Sequence, residues 1–380
     1  MRIAIVHDWL VTWAGAEKAL AELLDLYPQA DLYTIVDFLP AEQRSILNRH
    51  RIHTSFIQQL PGARKHYRSY LPLMPLAIEQ FDLSNYDLVI SSSHAVAKGV
   101  LTGPDTLHVC YCYTPMRYAW DLQHEYLKHS GYGRVKSAIT RYLLHRLRLW
   151  DLASSQRVDH YIAISHYIAR RINKCYRRQA TVIYPPVDTA SLQHSASEPV
   201  ARSGFLTASR LVPYKRTQLI LEAFAQMPEQ QLTIIGDGPE RPRIERQIKT
   251  LHDKGQHNIH YLGYQDDDVL HHHLATAQAF IHAAEEDFGI LPIEAMASGT
   301  PVIGYGRGGL AETVIPGKTG LLFHQPTPEA IIQAVQQHQQ HQWSASQCRE
   351  HAQNYRRELF RTNITQQLDH WLAESPSRLL

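Results

Sequence analysis

The sequence predicts an α/β protein made of two Rossmann-like domains, each a doubly wound parallel sheet, that face each other across a cleft. Three observations predict this class. The chain has 380 residues, 44% of them hydrophobic, which is enough for two cores. Short buried-strand patterns alternate with helical ones, as a parallel sheet with helical crossovers requires. The alternation stops once, in a polar stretch, and then starts again.

The first half of the chain opens with a strand, a turn and a helix. An apolar run at Arg2–Val6 precedes Gly15, and Ala16–Leu26 has apolar residues at helical spacing. Runs rich in β-branched and aromatic residues follow, and a helix is predicted from about Ser165. The strands predicted from these runs are Asp31–Val36, Asp87–Ser91, Leu107–Tyr113 and Asp159–Ile164.

A polar stretch separates the two halves. From Pro185 to Ser203 the chain is rich in Ser, with Glu and Pro, before the strand and helix patterns resume. We predict a first domain over 1–190, a linker over 191–203, a second domain over 204–355 and a helical tail over 356–380 that crosses back to the first domain. The second domain has predicted strands at Gly204–Ser209, Gln231–Gly236, Asn258–Leu262, Ala279–Ala283 and Pro301–Tyr305, and predicted helices at Thr217–Gln226 and Pro239–Leu251.

Charge argues against nucleic acid as a partner. The formal net charge is +2, which gives no support to a polyanion-binding role. Lys and Arg exceed Asp and Glu by five in residues 1–200 and fall short by three in the remainder, so a partner with phosphates would prefer the first half.

The cysteines and the apolar runs indicate a reducing compartment. The four cysteines are scattered and form no disulfide framework, and Cys110 and Cys112 are predicted to be small buried hydrophobes. No apolar run approaches the roughly 18 residues of a membrane span. The chain opens on a short strand and not on a signal peptide, so we expect a cytoplasmic protein.

Two glutamates eight residues apart carry the strongest functional signal. Glu286 precedes Phe288-Gly289, and Pro292 falls in the first turn of a predicted helix that contains Glu294 and ends at Gly299. The free N–H groups of such a helix start bind anions, and a carboxylate can accept hydrogen bonds from two vicinal hydroxyls. Two isolated acids would more often be solvated, but the whole string favours a site for a sugar or a ribose beside an anion.

A basic turn follows the first strand of the second half. Arg210 and Lys215 lie after Gly204–Ser209, and a forked guanidinium with a point ammonium suits a diphosphate. Gly236 begins a tight turn, Gly236-Asp-Gly-Pro239, after the next strand. Gly308-Gly309 is read either as a ligand loop or as a simple turn. Beside the Glu286 string, we expect the basic turn to border a ligand site at the carboxyl edge of the sheet.

Together, these motifs resemble those of the family-4 retaining glycosyltransferases of the GT-B fold, over nearly the whole chain. His7-Asp8-Trp9-Leu10 with Gly15-Ala16-Glu17 resembles the amino-terminal diphosphate loop of that family. The Cys112–Asp121 run and the Pro213–Arg216 string resemble bacterial GDP-mannose-dependent mannosyltransferases of surface polysaccharide assembly, including O-antigen and exopolysaccharide.

The resemblance implies transfer of a hexose, mannose from GDP-mannose, onto a lipid-linked glycan or oligosaccharide acceptor. Arg210 and Lys215 would neutralise the diphosphate, and Gly15 would let the amino-terminal loop approach it closely. Glu294 would hold the ribose hydroxyls. The base would rest near Leu262–Gln265, which includes Gly263, and the Gly236 turn would border the donor. The donor hexose would be held by Glu286 and the backbone of Phe288, Gly289, Ile290 and Leu291.

The resemblance also implies that no cofactor is needed. The family usually needs no metal, and no Asp-x-Asp string sits at a strand end here. A metal site at His271-His272-His273 is not expected, because consecutive residues on a helix point in different directions.

One position departs from the family pattern. Many relatives carry a sugar-contacting histidine at the end of the fifth strand, where this chain has Tyr113. Tyr113 could still hydrogen-bond a hydroxyl. His94, after the preceding strand, is either a sugar or acceptor contact or a loop histidine.

A basic, partly amphipathic segment suggests contact with an anionic membrane. No acidic residue lies between Glu125 and Asp151, and basic residues alternate there with apolar ones. A second such patch spans Arg64–Met74. An ordinary helix with its apolar face in the core explains the pattern equally well. The apolar residues of the first segment are Val135, Ile139, Tyr142, Leu143, Leu147 and Trp150.

Other functions fit the residues less well. A UDP-sugar donor such as UDP-glucose is the near rival, because nothing in Leu262–Gln265 decides between guanine and uracil. A glycoside hydrolase also uses two carboxylates, but it has no use for Arg210 and Lys215 beside a helix start. A non-catalytic nucleotide-sugar-binding subunit would not need the intact set of charged residues.

Overall fold

The chain folds as two compact units. The computed structural model describes residues 1–129, 131–194 and 201–374. The first unit is Met1–Pro185 together with the C-terminal segment from Phe360, and the second is Pro186–Leu359. Residues 195–200 of the predicted linker lie outside the described residues.

The first unit is built on a seven-stranded sheet in which every pair of neighbours is parallel. Its strands are β1 (Ile3–His7), β2 (Asp31–Thr34), β3 (Ile52–Thr54), β4 (Leu88–Ser93), β5 (Leu107–Cys112), β6 (His160–Ala163) and β7 (Ala180–Val182). Their order across the sheet is β3-β2-β1-β4-β5-β6-β7. The helices that precede Pro185 are α1 (Gly15–Leu26), α2 (Ala63–His66), α3 (Met74–Glu79), α4 (Gln123–His129), α5 (Arg134–Ser155) and α6 (His166–Tyr176).

The central strands of this sheet are buried along their whole length. Every residue of β1, β4 and β5 is buried, as expected where both faces of a parallel sheet are covered. Cys110 and Cys112 lie on β5, free and buried, which confirms their prediction as small core residues.

The second unit is built on a six-stranded parallel sheet. Its strands are β8 (Phe205–Ala208), β9 (Leu232–Ile235), β10 (Ile259–Gly263), β11 (Ala279–His282), β12 (Val302–Tyr305) and β13 (Gly320–Phe323). Their order is β10-β9-β8-β11-β12-β13. The later helices of the chain are α7 (Thr189–His194), α8 (Thr217–Phe224), α9 (Arg241–His252), α10 (Asp267–Thr276), α11 (Ile290–Ala297), α12 (Leu310–Thr313), α13 (Pro328–Gln339), α14 (Ala345–Ala352) and α15 (Arg357–Glu374).

The predicted α/β class and its parallel sheets are confirmed, and the predicted strands are present with ends within about two residues. Three short strands, β3, β7 and β13, were not predicted from the sequence. The helix after Glu286 begins at Ile290, so Pro292 is its third residue. Gly299 has φ +82°, in the left-handed region, and it follows the end of that helix as predicted.

The C-terminal helix packs on the first unit. Arg361 forms an ion pair with Glu22 and donates to Asp25 at 2.9 Å. Farther along α15, Trp371 stacks on His160, with ring centroids 4.3 Å apart. None of the helices in the described ranges has a stretch apolar and long enough to cross a bilayer.

Candidate functional site

The second sheet has its topological switch point between β8 and β11. These strands are neighbours, but β9 continues the sheet on one side and β12 on the other. Ligands of open α/β sheets bind outside the carboxyl ends of the strands at such a point. Lys215 lies on a 3-10 turn after β8, and Glu286 lies on the loop after β11.

Lys215 and Glu286 form an ion pair at this switch point. Lys215 Nζ contacts Glu286 Oε1, and the two side chains are only 18% and 16% exposed. Burial opposes ionisation of Glu286, but the charge of Lys215 and a hydrogen bond from His282 hold the pKa of that carboxyl well below its usual value. Burial likewise opposes the charge of Lys215, yet Glu286 raises the pKa of its ammonium. The site therefore holds two fixed, opposite charges.

His282 is part of this cluster, and the sequence reasoning missed it. It is the last residue of β11, its side chain is 5% exposed, and its Nε2 lies 3.1 Å from Glu286 Oε1. Lys215 and His282 thus share one carboxylate oxygen. None of the described residues donates to the other oxygen, Oε2. The available signal was a histidine at a strand end four residues before the motif glutamate.

Two glycines hold the Glu286 loop in place. Glu286 pairs with Gly308 in an isolated parallel bridge, and Gly309 N–H donates to Glu286 O at 2.8 Å. A Cβ at Gly308 would lie 2.1 Å from Glu286 O, and one at Gly309 would lie 2.4 Å from Phe288 Cα. The Gly308-Gly309 turn therefore supports the loop backbone, a role that the sequence left open.

The start of α11 is open to an anion. Its N-cap, Gly289, has φ +91° and offers no side-chain cap. Ile290 and Leu291 then present backbone N–H groups of the first turn, while Pro292 has none to present. Glu294 lies one turn farther along the helix and is 7% exposed.

The loop after β8 also carries Arg210. Within the described residues, its side chain is exposed and has neither an ion-pair nor a hydrogen-bond partner. A guanidinium in this state can bind a phosphate without first breaking another contact.

The loops after β8, β9 and β10 are joined through their backbones. Leu211 N–H donates to Asp237 O at 2.9 Å, and Gly236 N–H donates to Gly263 O at 2.8 Å. Gly236 has φ +137°, and a Cβ there would lie 1.9 Å from Ser209 O. The structure therefore brings the predicted residues of the second unit to one edge of its sheet.

The first sheet has an equivalent switch point, between β1 and β4. Asp8, directly after β1, is fully buried and accepts four backbone N–H groups from the turn after β4. The donors are His94 at 2.6 Å, Ala95 at 3.0 Å, Val96 at 2.6 Å and Ala97 at 2.7 Å. Asp8 thus fixes the loop on which His94 stands. His94 Nδ1 also lies 3.1 Å from Asp8, and burial lowers the pKa of this histidine although Asp8 opposes the shift.

Tyr113 is part of a buried polar chain. Its hydroxyl hydrogen-bonds with Ser92 Oγ at 2.9 Å and donates to Ala16 O at 2.9 Å. Ser92 in turn hydrogen-bonds with His7 Nδ1 at 3.0 Å, and His7 Nε2 lies 3.6 Å from Glu17. The Tyr113 hydroxyl therefore already has two protein partners. This series of polar contacts ends at the start of α1, whose first residue is Gly15.

A buried ion pair anchors the loop that carries His94. Lys98 Nζ contacts Asp151 on α5, and the side chains are 2% and 0% exposed. Trp120 Nε1 and the Tyr176 hydroxyl donate to the other Asp151 oxygen at 2.7 and 2.8 Å. This network is structural, because every charged atom in it has a protein partner.

A cavity of about 760 Å³ lies at the opposite edge of the first sheet, near the amino ends of β5 and β6. Thr106, Arg157, His160 and Trp371 are among the residues that line it. None of the site residues predicted from the sequence takes part.

Two family models match the chain one after the other. Residues 13–191 match the family described as Glycosyltransferase Family 4, and residues 193–355 match that described as Glycosyl transferases group 1. The chain belongs to the family-4 glycosyltransferases of the GT-B fold. The predicted resemblance is confirmed by this match.

Two relatives of this family-4 glycosyltransferase are similar to it over part of their sequences. The GDP-mannose-dependent alpha-(1-6)-phosphatidylinositol monomannoside mannosyltransferase of Mycolicibacterium smegmatis is 32% identical over 139 residues, 33% of this chain and 36% of that relative. The D-rhamnosyltransferase WbpZ of Pseudomonas aeruginosa is 30% identical over 217 residues, 53% of this chain and 56% of that relative. The chain thus spans between a third and somewhat over half of the length of these relatives.

A solved structure matches the family-4 glycosyltransferase over nearly its whole length. HepE of Anabaena, in complex with UDP, gives a TM-score of 0.69 at 18% identity, over 97% of this chain and 100% of HepE. At that identity the likeness establishes the fold alone.

In the part of the chain that the structure describes, no group of three or more His, Cys, Asp or Glu side chains is arranged to hold a metal ion. The expectation that no metal is needed stays a prediction.

Proposed function

We propose that the protein transfers a hexose, with retention, from a nucleotide diphosphate sugar to a glycan acceptor. The observation that carries the proposal is the Lys215–Glu286 pair at the switch point of the second sheet. The Arg210 side chain, which has no partner among the described residues, lies on the same loop as Lys215. A glycosidase would have no need for these cations. Retention rests on the family resemblance.

The charges at this edge suit the departure of a nucleoside diphosphate. Negative charge develops on the leaving phosphate, and preorganised cations stabilise it without rearranging. Lys215 and Arg210 supply the cations, and the uncapped start of α11 supplies N–H donors. Glu286 Oε2, which has no donor among the described residues, would accept a hydrogen bond from a hydroxyl of the sugar.

The remaining donor roles belong to the same proposal. Glu294 would bind the ribose, and the turns at Gly236 and Gly263 would border the nucleotide. Gly15 is the first residue of α1, outside the left-handed region, so its backbone conformation does not itself require glycine. Close approach of a phosphate would require it.

GDP-mannose is the donor we propose. The names of the M. smegmatis relative and of a Corynebacterium glutamicum relative both specify GDP-mannose. The rival is a UDP-sugar, because the HepE structure contains UDP. The proposal also includes a lipid-linked acceptor, contact with an anionic membrane, a cytoplasmic location and no metal requirement.

Nucleotide-dependent melting tests the donor. A ligand that binds only the folded state raises the melting temperature by mass action. We expect GDP and GDP-mannose, in the presence of EDTA, to raise the melting temperature of the full chain, and UDP, UDP-glucose and ADP not to. Lys215→Ala should weaken GDP binding about tenfold or more, since a charge-assisted contact is lost. The matched control Lys249→Ala, at an exposed position on α9, should bind normally.

The possible outcomes test the donor, the site assignment and the proposed function separately. A shift with UDP ligands alone would replace the donor and keep the site. A shift that Lys215→Ala leaves intact would contradict the site assignment. No shift with any of the nucleotides, with or without a divalent metal, would contradict the proposed function.

A further inference from the structure

The long helix α5 has two apolar faces. In its C-terminal half, Leu144, Leu147 and Asp151 are buried against the first unit. In its N-terminal half, Val135, Ile139 and Tyr142 are 75%, 56% and 61% exposed. At 3.6 residues per turn, these three residues fall on one side of the helix, roughly opposite to the buried set. The core therefore does not use this second face.

The exposure of these residues differs from what an ordinary surface helix would show. An ordinary surface helix buries its apolar stripe and exposes its polar one. Leu147 is buried in that way, so it does not belong to the exposed set. Val135, Ile139 and Tyr142 are not, and Leu143 and Leu149 extend their face at 38% and 51% exposure. We call Val135, Ile139, Tyr142, Leu143 and Leu149 the outer face of α5.

Basic residues flank the outer face, and one of them, Arg146, lies within it between Tyr142 and Leu149. Arg134, Lys136, Arg141 and Arg146 are all exposed. No Asp or Glu occurs between Glu125 and Asp151 in the sequence, and Asp151 is buried with Lys98. An apolar stripe bordered by cations is complementary to a lipid surface with anionic headgroups.

We propose that the outer face of α5 docks on an anionic lipid bilayer, with its apolar side chains inserted at the level of the headgroups. Docking would bring the site close to the lipid-linked acceptor of the proposed function, and only this biological purpose of the docking rests on that proposal. Vesicle binding needs neither donor nor turnover, so the two ideas can fail separately.

Two other occupants fit less well. A second copy of α5 would bring a further set of cations against the first with no carboxylate between them, and like charges repel. Nucleic acid would bind the cations, but its phosphates would then lie against the apolar side chains of the outer face. A lipid surface uses both features.

The second basic patch, Arg64–Met74, differs from the outer face. Tyr67 and Met74 are 4% and 0% exposed and belong to the core. Leu73 and nearby Leu76 are exposed at 41% and 53%. This exposed apolar pair, on a different element of the same unit, provides a matched control.

Vesicle flotation of the full chain tests the proposal. We expect binding to phosphatidylcholine vesicles that contain phosphatidylglycerol, little binding to pure phosphatidylcholine, and weaker binding at high salt. Val135→Ser with Ile139→Ser and Tyr142→Ser should lower the affinity at least about tenfold, because apolar area is no longer buried. Arg134→Gln with Lys136→Gln and Arg141→Gln should abolish the preference for phosphatidylglycerol. Leu73→Ser with Leu76→Ser should bind like wild type.

Two results would overturn the proposal. One is that the full chain floats with neither kind of vesicle, and the other is that the serine triple variant binds as wild type does while keeping its melting temperature. Loss of binding only in the Leu73/Leu76 variant would move the surface elsewhere. A wild-type dimer that the serine triple variant converts to a monomer, without vesicle binding, would identify a second copy as the occupant.

Discussion

Glu286 presents its two carboxylate oxygens to different environments. Lys215 and His282 both contact Oε1, and Oε2 has no donor among the described residues. A carboxylate held by one oxygen keeps its other oxygen in a defined direction. His282 is thus a positioning residue for the proposed sugar contact.

Replacement of His282 should therefore affect turnover more than nucleotide binding. His282→Phe keeps an aromatic ring near Phe280 but removes the donor, and we expect kcat to fall about tenfold or more with little change in nucleotide affinity. His282→Gln places an amide N–H near the former Nε2 and should recover part of kcat. Steady-state kinetics with the nucleotide that stabilises the protein gives both values. Equal kcat in the wild type and His282→Phe would mean that the ring only fills space.

At the scale of elements, both sheets use the same arrangement. In the first, Asp8 after β1 holds the loop after β4; in the second, Lys215 after β8 holds the loop after β11. In each case the paired segments follow neighbouring strands at a switch point. At the carboxyl edge of each sheet, a side chain that follows one strand therefore contacts the loop that follows the neighbouring strand.

The Asp8 cap gives a test at this scale. Asp8→Asn keeps the shape but replaces one acceptor oxygen by NH₂, so two of the four loop N–H groups lose their partner. Hydrogen bonds to a buried charge contribute about 1.5–3 kcal/mol each, so we expect the first unit to lose about 3 kcal/mol or more. Tryptophan fluorescence in urea reports this unit, because only Trp343 of the six tryptophans lies in the second.

The control for this substitution is Asp82→Asn. Asp82 is an exposed carboxylate that caps Ser84 locally, at 3.1 Å from its N–H. Its replacement should leave the urea midpoint nearly unchanged. If both asparagine variants shifted the midpoint equally, the loop cap would not be the stabilising contact.

Sequence patterns could predict the strands but not which residues meet. Continuous apolar runs such as Leu107–Cys112 identify interior parallel strands, because both faces are covered. Lys215 and Glu286 are 71 residues apart, and only the order β9-β8-β11-β12 makes them neighbours. The role of His282 could not be predicted for the same reason. The apolar spacing of α5 is the same whether a residue is buried or exposed, and only the structure shows that Val135, Ile139 and Tyr142 are exposed while Leu144 and Leu147 are buried.

At the scale of the whole molecule, each unit contains a buried histidine that resists protonation. Burial lowers the pKa of His108, on β5, and of His338, on α13, to about 4 in each case. The backbone at Arg157 opposes the shift at His108, whereas Lys98 adds to it. An unfolded histidine has a pKa near 6.5, so between these values the unfolded chain binds more protons than the folded one.

The sign of the pH dependence follows directly. The contribution of these two histidines to the free energy of unfolding should be complete above pH 6.5. It should fall as the pH drops toward 4, by about 1.4 kcal/mol per pH unit for each histidine. Urea unfolding of the first unit at pH 7 and pH 5, followed by tryptophan fluorescence, measures the slope. His108→Gln should flatten it, while His338→Gln in the second unit should not. Equal slopes in all three proteins would contradict the role of His108.

The glycine contacts at the edge of the second sheet also limit how this enzyme can change over generations. A side chain at Gly236, Gly308 or Gly309 would come within 2.4 Å of another backbone atom, so almost any mutation there is lost from a population whatever the substrate. Gly263 has no atom within 4 Å of where its Cβ would be, and its neighbour Tyr264 is 75% exposed. Asn or Asp, which tolerate its φ of +71°, could be accepted there. Sequence change is therefore open to the loop after β10, which we propose borders the nucleotide base, while the glycine-packed turns stay unchanged.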